Sequence, residues 1–226
     1  MTFTIVGGKK CAGPSCSRGS DVVKKFLMVT PQQPTGKLMP VVYETRGNDL
    51  LRYDAETKFP TIPLMNGYVE SGEKVKVITV TYDSDAHRHN LDLFREELAA
   101  LAKHKGFECE VESIDLPFDD SVGAMVEIFR QYLDRIEDDD ILHACITFGS
   151  KPIPIAMTMA MRYACRIRKN VSIECIVYGQ RDWSTTPSTN RIYDVTALTD
   201  LDELARVLAD QRVADPAAVI RQVIEM

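Results

Sequence analysis

ILHACITFGSKPIPIAMTMAMRYACRIRKN, residues 141–170, decides the fold. It opens with a nearly continuous apolar run over 141–148, turns at Gly149-Ser150-Lys151-Pro152, and continues as a Met- and Ala-rich helical stretch. An unbroken apolar strand, unlike an alternating one, belongs in a parallel sheet covered on both faces. VSIECIVYGQ (171–180) supplies another such strand. The segment therefore reads strand, turn, helix, strand, the repeating unit of a doubly wound sheet.

The same rhythm extends in both directions. Upstream, FECEVESIDLP (107–117) alternates as a strand, and KVKVITVTYDSD (74–85) is a β-rich run ending in small and acidic residues. Between them Leu91, Phe94, Leu98 and Leu101 recur at helical spacing. Val122, Met125, Val126, Phe129, Leu133 and Ile136 mark a further helix that stops at the acidic run 138–140. FLMVTP (26–31) has the form of a buried first strand emptying into a loop. Downstream, RIYDVTAL (191–198) is a short strand, LTDLDELARVLAD (198–210) a helix, and ADPAAVIRQVIEM (214–226) a closing helix with Pro in its first turn.

Two segments break the pattern. Residues 1–25 mix Gly, Ser, Cys and charge without a period and read as an N-terminal extension. Between 32 and 74, Gly and Pro interrupt the β-prone pieces MPVVYETR and TIPLMNGYV, which predicts a β-hairpin insertion after the first strand. The expectation is one α/β domain over 26–226, a Rossmann-like doubly wound, mainly parallel sheet with helices on both faces.

Composition excludes several functions. A net charge of −6 argues against coating duplex nucleic acid, which relies on clustered Lys and Arg. No run approaches the roughly 20 apolar residues of a membrane span, and the start MTFTIVGGKK lacks a signal peptide's apolar core. A cytoplasmic location is expected. Of six cysteines, Cys109, Cys145, Cys165 and Cys175 fall in apolar patterns as packing residues. Cys11 and Cys16 share a Gly/Pro/Ser loop without a second pair to complete a zinc site, so no metal is expected.

Ligands of open parallel sheets bind beyond the carboxyl ends of the strands. That rule selects Thr147, Phe148, Gly149, Ser150 and Lys151 first: glycine permits close approach, serine donates a hydroxyl, lysine adds a cation, and Pro152 and Pro154 suit a helix start. A plain turn with a solvated lysine fits the same residues. Tyr178, Gly179, Gln180 and Arg181 end the next strand and offer a stacking ring and donors, or simply a polar loop. Thr30, Pro31, Gln32 and Gln33 end the first strand, and Asp83, Ser84 and Asp85 end the one before the first long helix; each set touches a ligand or merely caps and turns. Arg46 and Asn48 in the insertion are candidates for a lid, against the alternative of an exposed hairpin. His87, His89, His104 and His143 form neither a metal set nor a Ser-His-Asp pattern. Walker and G-x-G-x-x-G loops are absent, and no cofactor is expected.

Taken together, ILHACITFGSKPIPIAM, IECIVYGQ and RIYDVTALTDLDEL resemble the CARF domain, the CRISPR-associated Rossmann fold, over roughly 26–210. The resemblance implies a homodimer whose two copies of the strand-end loops form one symmetric pocket for a cyclic oligoadenylate made by type III CRISPR complexes, cyclic tetra-adenylate foremost. By that resemblance Thr147, Gly149, Ser150 and Lys151 cradle the phosphates and 2′-hydroxyls, with Thr30 and Pro31 as the first loop and Asp83 and Ser84 as weaker transfers. The chain departs from typical members in its long 32–74 insertion and in having no effector domain after it. A ring nuclease using Lys151, a sensor acting through a separate effector protein, and a fragment of something larger all stay open. So do a flavodoxin-like or nucleotide-processing enzyme unrelated to CRISPR and a purely structural role.

Overall fold

The computed structural model of the chain describes residues 23–182 and 189–224. The first strand, β1 (Lys24–Val29), is apolar from Phe26 onward and buried along that length. It pairs in parallel with β3 (Lys74–Tyr82) on one side and with β5 (Ile141–Cys145) on the other. Outside β3 lies β4 (Glu108–Leu116), and outside β5 lies β6 (Ser172–Asp182), both parallel to their neighbours. Next to β6, β7 (Thr189–Asp194) runs antiparallel, and a three-residue strand, β2 (Glu44–Arg46), closes that edge in parallel with β7. The sheet order is β2-β7-β6-β5-β1-β3-β4. The α/β, doubly wound architecture is thus the one expected from the sequence.

Local chemistry accounts for the helices. Ser84 caps α2 (Asp85–Lys105), which ends in Lys103, His104 and Lys105 beside a left-handed Gly106, so both ends complement the helix dipole. Ser121 caps α3 (Val122–Leu133) in the same way. Along α4 (Pro152–Ile167), Ile153, Ala156, Met157, Ala160, Met161 and Ala164 recur at helical spacing and are buried, which fixes the face laid on the sheet. Helices α5 (Ala197–Asp210) and α6 (Pro216–Ile224) pack on one another, and Arg162 and Arg166 of α4 pair with Asp202 and Glu203 of α5. Among the described residues no helix is long and apolar enough to cross a membrane.

Adjacent residues of β1 show that the sheet is wound on both faces, because successive side chains of a strand point oppositely. Phe26 stacks on His143, whose other edge meets Tyr68 of α1 (Thr61–Tyr68), while Lys25 reaches the Arg135 carbonyl just past α3. Helix α1 packs with α2, and α3 with α4.

The insertion differs from the expected β-hairpin. TIPLMNGYV contains helix α1, and MPVVYETR contributes only the edge strand β2, whose partner is β7. A single antiparallel bridge, Val41 with Thr57, joins the two halves of the segment. Thr61, Ile62, Pro63, Leu64 and Met65 are all buried, so the apolar run has no polar face to show helical period. Gly67 allows the backbone of the short 3₁₀ turn Asp49–Leu51 to lie against α1: a Cβ there would stand 2.1 Å from the Leu50 carbonyl oxygen. The helix propensity gained by Gly67→Ala, about 1 kcal/mol, is smaller than the overpacking cost of about 1–3 kcal/mol. The variant is expected to melt several degrees below the parent, and an unchanged or raised midpoint in calorimetry would contradict that packing. The domain also begins slightly earlier than the 25/26 boundary read from the sequence, since β1 starts at Lys24.

Candidate functional site

Chain direction across the sheet reverses at β1. From β1 the chain runs out to β2 at the far edge and back through α1 to β3, then to β4 at the other edge, and returns to β5 and on to β6. The central parallel strands are thus added on opposite sides of β1, and the crevice at the carboxyl ends of such a switch is where ligands of these sheets sit. Among the described residues, the loops after β1, β3, β4 and β5 leave the sheet at these carboxyl ends, beside the second half of β6.

The loop after β5 is built tightly against β1. Gly149 has φ 93°, and a Cβ on it would lie 2.9 Å from Val29 Cγ1, so only glycine fits the turn. The Thr147 hydroxyl accepts the Gly179 N–H at 2.8 Å, stitching the end of β5 to β6. Phe148 is buried near Phe59. Ser150 Oγ donates to Asp120 Oδ1 at 2.5 Å, which ties this loop to the one after β4. Lys151 is exposed at the start of α4. Of the first amides of α4, Pro152 and Pro154 have none, and Ile153 N–H donates to the Ser150 carbonyl at 3.0 Å. Backbone donors for an anion are therefore few at this helix start, where Lys151 is the nearby cation.

The neighbouring strand end supplies a second wall. Tyr178 is 41% exposed, the Gln180 side chain accepts from Tyr193, and Arg181 donates to the Met39 carbonyl of the insertion. Arg181 also faces Tyr43, whose phenol burial pushes up while the guanidinium opposes the shift. Pro60 abuts Gly179, so the insertion forms the wall beside β6.

Other residues singled out from the sequence take structural positions. The Thr30 hydroxyl is fully buried between Thr79 (3.0 Å) and Thr81 (2.8 Å), facing the sheet interior. The Pro31 and Gln33 carbonyls each accept from Asn90 Nδ2 at 2.9 Å, so this loop is held by its backbone. Asp83 pairs with Arg88 and Ser84 caps α2. Of the candidate lid residues, Arg46 lies on the edge strand paired with Glu44, and Asn48 caps the 3₁₀ turn while donating to Tyr68 Oη (2.9 Å) and Asp194 Oδ2 (2.7 Å). Asn48 anchors the insertion to β7 and has no amide proton left with which to cover a ligand. Cys11 and Cys16 lie outside the described residues.

Sequence reading missed the loop after β4, where Phe118, Asp119, Asp120 and Ser121 precede α3. Asp119 accepts from both the N–H and the hydroxyl of Ser121, and the N–H bond foremost holds its carboxyl below the usual range. Applying the strand-end rule to β4 as well as its neighbours identifies it. Asp83 and Asp85 are paired with Arg88 and Asp120 reaches Ser150, while the cations Lys151 and Arg181 stand on the β5/β6 side.

One apolar surface adjoins this rim. Val122 (82% exposed), Val126 (61%), Ile155 (60%) and Met159 (57%) stand at four-residue spacing on α3 and α4. With Met125 and Phe129 they line a groove of about 400 Å³. Among the described residues no group of three or more His, Cys, Asp or Glu is arranged to hold a metal. No protein-family model matches the chain, and no curated protein matches it.

Proposed function

We propose that the chain is a cytoplasmic, homodimeric sensor that binds a cyclic oligoadenylate, cyclic tetra-adenylate foremost, in type III CRISPR defence, passing the signal to a separate effector protein. The observation that carries this reading is the position of the Gly149-Ser150-Lys151 turn: it borders the crevice at the chain reversal and, through the starts of α3 and α4, an uncovered apolar face. Pairing that face with a second copy about a two-fold axis sets two such turns side by side, and a ring of repeated nucleotides has the matching symmetry.

Binding is favoured over cleavage because the Ser150 hydroxyl is already committed to Asp120 and no histidine joins them. Calorimetry with cyclic tri-, tetra- and hexa-adenylate is expected to give one ring per dimer, with affinity falling at least about tenfold in Lys151→Ala through loss of a charge-assisted phosphate contact. In light scattering, Val126→Asp combined with Ile155→Asp is expected to halve the mass. Intact recovered ligand fits a sensor, linear product a ring nuclease, and no binding to any ring overturns the proposal.

A further inference from the structure

Three aromatic side chains crowd the carboxyl end of β3, and two of them hold buried polar atoms without partners. His87, in the first turn of α2, is 5% exposed, and its Nε2 has no hydrogen bond among the described residues. Tyr82, the last residue of β3, is 2% exposed, and its hydroxyl is likewise unpartnered. The rings meet edge to face with centroids 5.4 Å apart. Phe118, from the loop after β4, stands on the other side of Tyr82 at 5.2 Å and is itself 65% exposed. Unsatisfied polar atoms in a water-excluded place cost about 1–3 kcal/mol each, and two together at a strand end call for an occupant.

The hydrogen bonds indicate what that occupant presents. Ser84 Oγ accepts the His87 backbone N–H at 3.3 Å and lies 2.7 Å from His87 Nδ1. When the Ser84 hydroxyl donates to Nδ1 the imidazole proton sits on Nε2, and when Nδ1–H donates to Ser84 the free Nε2 is an acceptor. Burial holds the ring neutral, lowering its pKa. The site thus offers one imidazole nitrogen, one phenol able to donate or accept, and an exposed aromatic face. Asp119 and Asp120 act on Tyr82 and disfavour a phosphate there, while Asp83 and Asp85 are paired with Arg88.

The geometry points to a nucleobase subsite in which Phe118 stacks on the base while His87 Nε2 and the Tyr82 hydroxyl engage its hydrogen-bonding edge. It rests on the proposed nucleotide ligand and assigns the base to the β3/β4 side of the crevice, opposite the phosphate side at Lys151. Both polar atoms are buried in this arrangement, so entry of a base requires these rings to part. An aromatic–base stack of this kind is sequence-tolerant and strong enough to matter.

The test is NMR of the side-chain nitrogens in ¹⁵N-histidine-labelled protein, with His87 assigned by its loss in His87→Gln. Adenosine 5′-monophosphate is expected to shift the His87 signals and ribose 5-phosphate to leave them in place. Phe118→Ala, at an exposed position that the fold does not need, is expected to weaken cyclic tetra-adenylate about tenfold. If the cyclic ligand binds the parent, Phe118→Ala and His87→Gln alike, the subsite falls while the sensor reading stands. If the monophosphate moves His87 but no ring binds, the subsite stands without that reading. If neither ligand moves His87, an ordered water is its only occupant and the subsite is overturned.

Discussion

Replacing Lys25 with Met is expected to lower folding stability by about 3–5 kcal/mol at neutral pH. Lys25 is 3% exposed, and its ammonium lies 2.7 Å from Asp140 Oδ2, 3.0 Å from Glu137 Oε2 and 2.7 Å from the Arg135 carbonyl. Asp140 is 1% exposed and also accepts the Glu137 N–H. Removing the cation leaves a buried carboxylate whose remaining support is one backbone amide, whereas the methionine recovers only the packing of the stem. Burial already raises the Asp140 pKa above 3.8, with Lys25 opposing the rise. Without Lys25 it climbs further. A carboxyl whose folded pKa is raised binds more protons folded than unfolded, so its cost is full above the raised value and fades as pH falls towards the ordinary range. Urea midpoints of parent and variant should therefore converge as pH falls from neutral towards the ordinary carboxylate range. A gap that stays constant or widens on acidification would place the cost elsewhere than Asp140.

How far the fold was legible depended on burial. Strand β1 from Phe26 onward and most of β5 are apolar runs because both of their faces are covered, and such runs announce a parallel sheet by themselves. Helices α2 and α4 each keep one polar or exposed side, so their period survives in the sequence. Helix α1 lost its period by being buried at its start, and its Pro63 and Gly67 look like breakers until Leu50 is seen lying against it. Nothing local in ETR tells that it pairs with β7, nearly 150 residues away, since edge pairing is decided by tertiary proximity.

The candidate site was legible to a similar, partial degree. Gly149 and the residues around it stood out because a strand-end glycine in a βα turn has a physical reason to be there. Thr30 looked equally suitable, yet strand parity turns its hydroxyl inward to Thr79 and Thr81. The partnership of Ser150 with Asp120 joins positions 30 residues apart on neither adjacent strands nor one helix, and no spacing rule encodes it.

Gly149→Ala is expected to disturb both folding and binding, in contrast to Lys151→Ala, which removes a charge from an exposed position and should leave the melting point near that of the parent. The backbone at φ 93° disfavours any L side chain, and the new methyl would meet Val29 Cγ1 at 2.9 Å. Val29 is 1% exposed within the central strand and has no free space in which to withdraw. The combined cost is about 2–4 kcal/mol, with the loop lifting away from β1 and carrying Ser150 and Lys151 out of register with the crevice. Cyclic tetra-adenylate affinity should then fall at least as far as in Lys151→Ala. Shortening the obstacle separates the two contributions: in Val29→Ala/Gly149→Ala the methyl has room, so part of the stability loss attributable to Gly149→Ala should disappear, leaving the backbone term. Purely additive losses in that double-mutant cycle would mean that the loop is not seated on Val29, and that the close approach of β5's turn to β1 does not shape the site.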